Sequence, residues 1–144
     1  MSLYFEIPGQ PCAKQRARIQ LNKKTGKSFG RTPENTVKYE NLVKTCFAAK
    51  YPEFQPIEEG QPLSLLVIAY WPIPKAKLKK FSEQTPRPSQ PDWDNVGKII
   101  SDALNQIAWH DDRQIVRAVV TKLYSPRPRV EVWIEPFNFS QMCG

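Results

Sequence analysis

The run Pro91-Asp92-Trp93-Asp94-Asn95-Val96-Gly97-Lys98-Ile99-Ile100-Ser101-Asp102-Ala103-Leu104 reads as an amphipathic helix with an acidic start. Apolar residues at 96, 99, 100, 103, 104 and, just beyond, 107 recur at helical spacing and form one stripe for burial. Asp94, Lys98 and Asp102 then share the opposite, exposed side. Two residues apart inside a helix, Asp92 and Asp94 would diverge by about 200°, whereas in an extended segment they point the same way. The lead-in is therefore expected to be extended, with the helix starting close to Asp94 and Asp94 or Asn95 as its cap.

Working outward, Leu3 to Ile7 predicts a short strand, followed by a loop over 8–31. Thr32-Pro33-Glu34 predicts a helix start, with a capping hydroxyl and a proline at the first helical position. Tyr39, Leu42, Val43, Cys46 and Phe47 fall on one face of that helix. Leu63 to Trp71 is rich in β-branched and aromatic residues, which predicts a strand covered on both faces. A proline-rich basic loop, 72–91, leads to the acidic helix. After it, strand 114–124 is expected to turn hairpin-like at Ser125-Pro126-Arg127-Pro128 into a last strand, where Val130, Val132 and Ile134 alternate with polar or larger residues. The order β, α, β, α, β, β predicts an α+β, or mixed α/β, fold: a mixed sheet with helices packed on it. At 144 residues, 1–144 is one domain, because halves would be too small to bury a sufficient core.

Cys12, Cys46 and Cys143 follow no zinc or disulfide spacing, which predicts a reducing, intracellular setting. The longest apolar stretch, Leu65 to Trp71, is too short to cross a membrane, and the first residues lack a basic-then-apolar leader. A cytoplasmic protein without membrane attachment is expected.

The net charge is +7 and unevenly spread: residues 1–90 carry +8 and residues 91–144 carry −1. One basic segment includes Lys14, Arg16, Arg18, Lys23 and Lys24; the other includes Lys75, Lys77, Lys79, Lys80 and Arg87. Set in loops with Pro or Gly, these cations can follow a phosphate backbone, although solvated loops that aid solubility would read the same way. Against that basic background stand Asp92, Asp94, Lys98, Asp102 and the pair Asp111-Asp112. Asp92 and Asp94 could be no more than helix-start acids, Asp94, Lys98 and Asp102 ordinary surface ion pairs, and Asp111-Asp112 turn residues.

Taken together, however, close carboxylates repel and call for a cation. Hard oxygen donors without adjacent His or Cys ligands suit magnesium or manganese beside a phosphate. Lys98 is placed to offset charge that builds up on the reacting group. Phosphodiester hydrolysis is the reaction class. Asp111 and Asp112 point to opposite faces once a strand has begun, so the pair should supply a single ligand. His110 and Trp93 read more simply as a turn residue and a packed aromatic. Phe29 and Phe81, each in a basic loop, are candidates for wedging into opened nucleic acid.

Asp92-Trp93-Asp94-Asn95-x-x-Lys98, then Asp102-Ala103-Leu104, then Trp109-His110-Asp111-Asp112-x-Gln114-Ile115 and Lys122 resemble the RusA family of phage-associated Holliday-junction resolvases. Gly9-x-Pro11-x-x-Lys14-x-Arg16-x-Arg18 resembles that family's basic N-terminal motif. The resemblance implies a bacterial, phage- or prophage-type endonuclease of DNA recombination and repair, a homodimer that nicks four-way junction DNA symmetrically with Mg2+ or Mn2+. Carried over by position, Asp92, Asp94 and Asp112 are the metal-binding acids and Lys98 the catalytic lysine, with Asp111 left open. The chain departs from members with an arginine run before the first acid: Ser89-Gln90-Pro91 stands there instead. The competing reading is a non-catalytic protein that recognises branched DNA through its basic loops.

Overall fold

The computed structural model describes residues 2–15, 18–21, 24, 28–31 and 33–143; the side chains of 18–21, 28–31, 141 and 143 lie outside the described set. Among these residues, six strands and two α-helices run in the order β1 (Leu3–Pro8), β2 (Arg18–Leu21), β3 (Ser28–Arg31), α1 (Glu34–Lys50), β4 (Leu63–Pro72), α2 (Trp93–Leu104), β5 (Ile115–Ser125) and β6 (Arg129–Pro136). The main sheet has the strand order β1-β6-β4-β5, and β2 and β3 form a separate hairpin. The mixed α+β architecture expected from the sequence is the one observed.

Among the described strands, only β4 and β5 pair in parallel, joined through α2 as a crossover. Their parallel pairing alters the expected hairpin: β6 does not lie beside β5 but inserts between β1 and β4, antiparallel to both. Two prolines in Pro126-Arg127-Pro128 are unsuited to a tight two-residue turn, and this connection instead passes the end of β4. A second departure is the β2–β3 hairpin, which occupies part of the expected loop 8–31.

The core lies between one sheet face and the two helices. Leu3, Phe5 and Ile7 of β1, Leu65 and Val67 of β4, and Val130, Val132 and Ile134 of β6 alternate inward. They meet Tyr39, Val43 and Phe47 of α1 and Val96, Ile99, Ile100, Ala103 and Leu104 of α2. The stripe read from α2 is thus the buried one, with Ile107 packed against the core just past the helix end. On α1, Leu42 turns outward and Thr36 is buried in its place. Pro33 caps this helix rather than opening it, and Thr32 lies outside the described residues.

Gly97 lets α2 sit close on β5, since a Cβ at this position would stand 3.1 Å from Val120 Cγ2. Coverage of β4 is one-sided at its centre: Leu66 and Ile68 remain partly exposed on the second face. Among the described residues, no helix is long and apolar enough to cross a membrane.

Candidate nuclease site

Helix α2 begins at Trp93, one residue before Asp94, so the cap is Asp92 rather than Asp94 or Asn95. Asp92 has extended backbone (φ −67°, ψ 150°), as expected of the lead-in, while Asp94 already belongs to the first turn. The Asp92 side chain makes no capping hydrogen bond. Both carboxylates are exposed, and among the described residues neither has a hydrogen-bond or ion-pair partner. Unused by the fold, their oxygens are free for an external cation or donor.

The chain into Asp92 is held from the sheet. Lys122 of β5 donates to the carbonyl oxygens of Ser89 (2.6 Å) and Pro91 (2.7 Å), clamping the residues that precede the first acid. Lys122 carries the resemblance but has no role legible in the sequence, because the segment it grips is more than thirty residues distant. The backbone N–H of Lys14 also donates to the Asn95 carbonyl at 2.8 Å, tying the N-terminal segment to the first turn of α2.

Further along α2, Lys98 pairs with Asp102 at 3.1 Å, one turn away as the spacing predicts. Asp102 also receives the Lys14 amine at 3.0 Å, and that amine reaches Glu40 of α1 at 2.9 Å. Lys14 therefore bridges both helices, its charge matched within the fold. Lys98 is more than half exposed, and such a surface pair contributes only about 0.3–0.5 kcal/mol, so its amine can turn to a phosphate at little cost.

Asp111 and Asp112 take different roles. Asp111 caps the 3-10 turn Asp112–Gln114, accepting from Arg113 N, while Gln114 Oε1 accepts the N–H groups of His110 and Asp111. Asp112 accepts the Nε1–H of Trp109 at 2.8 Å. Burial pushes the Asp112 carboxyl above the usual aspartate range, with Asp102 and Asp111 adding to the rise; the Trp109 hydrogen bond and Lys98 oppose it. Gln114 is itself buried, its Nε2 donating to the carbonyls of Glu58 and Gln61, so a satisfied amide positions the whole turn.

The fold thus brings Asp102, Asp112 and Lys98 into one electrostatic neighbourhood, while Asp92 and Asp94 stand at the start of α2, Asp94 one turn before Lys98. Among the described residues, no three His, Cys, Asp or Glu side chains form a ready metal cluster. Magnesium commonly takes one or two carboxylates, with waters and substrate phosphates completing its shell, and the free oxygens of Asp92 and Asp94 suit that chemistry.

The chain matches the family model described as Endodeoxyribonuclease RusA over residues 8–135. It belongs to the RusA endodeoxyribonuclease family. It is also 36% identical over 137 residues to a Bacillus subtilis (strain 168) protein named "Uncharacterized protein YqaN", covering 90% of this chain and 93% of that protein. Membership in the RusA family directs attention to the cations around the acids. Lys75, Lys77, Lys79 and Lys80 are exposed, as is Lys24. Arg16 and Lys23 lie outside the described residues, and Arg18 opens β2 with its side chain outside that set. Arg87 is half-buried, its guanidinium stacked over Trp71 at 4.8 Å and over Tyr124 at 5.4 Å.

Two aromatic readings change. Phe81 is not a free wedge but packs on Tyr124, ring centroids 5.0 Å apart; Phe29 has its side chain outside the described set. Trp93, read as a packed aromatic, is 63% exposed between the two acids. In the basic loop it is Leu78, 62% exposed, that projects beside Lys77 and Lys79.

Proposed function

We propose that this chain is a Mg2+- or Mn2+-dependent endonuclease that cuts four-way DNA junctions by paired, symmetric phosphodiester hydrolysis, acting as a homodimer in recombination and repair. The observation that carries this reading is the state of Asp92 and Asp94: two exposed carboxylates, unpaired among the described residues, at the start of α2 in a RusA-family chain. Asp94 lies one helical turn before Lys98, whose exposed pair with Asp102 is readily exchanged.

In this reading Asp92, Asp94 and Asp112 are the metal-binding acids. Asp112 is supported by its half-buried setting, where Asp102 and Asp111 add repulsion that a cation would offset. A bound divalent ion supplies Lewis-acid polarisation of the phosphate and a more acidic water. Lys98 exchanges Asp102 for the phosphate oxygens and offsets the charge that accumulates there. Lys122 keeps the Asp92 segment in place, and Lys75, Lys77, Lys79 and Lys80, with Lys14, Arg16, Arg18, Lys23, Lys24 and Arg87, form the basic set for the DNA arms. Of these, Lys14 and Arg87 act from within the fold, as brace and packed surface, while the lysine loop faces solvent. The dimer is supported by the second sheet face, where Leu66, Ile68, Val119 and Trp133 line an apolar depression; a two-fold pair presents equivalent sites to two strands.

The test is cleavage of a labelled synthetic four-way junction beside linear duplex, with Mg2+, Mn2+ or chelator, by the wild type, Asp94→Asn and Lys98→Ala. Metal-dependent paired nicks on the junction, lost in both variants, are expected. Tight junction binding with no cutting under any metal would make this a binding protein instead.

A further inference from the structure

Beside Asp92 lies a groove of about 520 Å³, walled on one side by residues 10–15 and on the other by 90–95. Its size falls within the range of roughly 300–1,000 Å³ typical of small-molecule sites. Its chemistry is unusual for a surface cleft: Gln10, Gln15, Gln90 and Asn95 all line it, and among the described residues none of these side-chain amides is committed to another partner. Arg87 also lines it, its guanidinium over the buried Trp71 ring, 4.8 Å from the centroid, and its Nη2 donating to the Gln90 carbonyl at 2.8 Å. Free amides and a pre-oriented guanidinium are the groups that read donor and acceptor patterns on nucleobase edges. Lys14 also lines the groove, but its amine is paired with Glu40 and Asp102, so the cleft offers amides where a purely electrostatic DNA surface would offer free lysines.

We infer that this groove is a nucleobase-recognition site, which receives a base of the cleaved strand next to the phosphate held at Asp92 and so directs where the junction is cut. The inference rests on the nuclease reading for its link to cutting, and the groove walls supply the geometry. The Lys14 N–H to Asn95 carbonyl bond and the Lys122 clamp on Ser89 and Pro91 fix the two walls relative to the first acid. A base lodged between them would hold its own phosphate in register with Asp92. An intact, stacked duplex cannot offer a base in this way, whereas a branch point frees bases at little cost, so the groove and a preference for branched DNA share one cause.

Two measurements test it on the full chain. In the first, a pool of junctions with randomised pairs around the branch point is cut to low extent with Mg2+ and the nicked ends are sequenced. The wild type is expected to favour particular bases beside the cut, and Gln15→Ala and Gln90→Ala to flatten that preference by about tenfold or more, as removal of a hydrogen bond to a base edge should. Because the ratio is read within one reaction, a fall in total rate does not mimic it. In the second, 2-aminopurine replaces a branch-point base and its fluorescence is followed in chelator, where no cutting occurs. Binding of the wild type is expected to change the signal, and the two variants to reduce the change. Cutting without sequence preference and without a fluorescence change would overturn the groove and leave the nuclease reading standing. A variant-sensitive fluorescence change with no cutting under any metal would remove the nuclease reading while keeping the groove as a base-binding site.

Discussion

The indole of Trp109 donates its Nε1–H to Oδ1 of Asp112 at 2.8 Å, and that indole is fully buried. The acid is thus anchored by a core residue three positions before it, and burial is what raises its pKa most. For a carboxyl whose folded pKa lies above its unfolded value, the folded state binds the proton more tightly. The contribution favours the fold at low pH and is lost as pH rises through the folded pKa. Asp112→Asn keeps an oxygen for Trp109 and removes the charge. It is expected to melt above the wild type at pH 7, with the gap closing as pH falls below the ordinary aspartate range. A gap independent of pH in melts from pH 7 to pH 3 would show that burial does not set this group's titration.

Lys122 touches no part of the proposed reaction yet grips the carbonyls of Ser89 and Pro91. Lys122→Met is expected to lower kcat by roughly tenfold to a hundredfold through misplacement of Asp92, with a smaller effect on junction affinity. Lys122→Arg should recover part of the loss, because it restores donors to the same carbonyls. Single-turnover rates set against binding isotherms separate the two effects; equal losses in both would mean that Lys122 serves DNA binding rather than positioning.

Trp93 is exposed, so its removal costs the fold little. If the ring stacks on an unpaired base, Trp93→Ala weakens junction binding by about 1–3 kcal/mol and Trp93→Phe by less, with unchanged melting temperature. Titration of the intrinsic tryptophan fluorescence with junction DNA checks this. Affinity unchanged in the Ala variant would leave Trp93 without a role in binding.

The exposed lysine loop should act through charge alone. Replacing Lys77, Lys79 and Lys80 together with Ala should reduce the dependence of log affinity on log salt by about 0.9 for each duplex-arm phosphate that is no longer neutralised. Cutting at saturating DNA should persist. An unchanged salt slope would place the DNA elsewhere on the surface.

Gln114 stitches the Asp112 turn to residues 57–61 through bonds from both ends of its amide. Gln114→Leu orphans buried donors and acceptors on both sides and should cost roughly 1–3 kcal/mol of stability in a urea titration. A loss under about half a kilocalorie, the size of a surface substitution, would mean that water replaces the amide.

Much of this was legible along the chain because it depends on local periodicity. The stripe at 96, 99, 100, 103 and 104 states which side of α2 is buried, and the i, i+4 spacing of Lys98 and Asp102 states that they meet. The extended lead-in was readable as far as Asp92, but the helix opens at Trp93, so Asp94 sits in its first turn and not in the extended segment. Charge asymmetry and motif order likewise follow from residue type and separation alone.

Other features depended on residues brought together from distant parts of the chain. No periodicity says that β6 inserts between β1 and β4, since strand order is settled by which faces and edges find one another in the folded sheet. Asp111 and Asp112 are set apart by their surroundings, one capping the turn and the other accepting from the buried Trp109 indole, and not by the two identical side chains themselves. Lys14 reads as a basic-loop cation until α1 and α2 place Glu40 and Asp102 around its amine. The amide groove beside Asp92 exists only because residues 10–15 and 90–95, far apart in the chain, form facing walls: short-range sequence determines what each wall is made of, and long-range packing alone decides that they face each other.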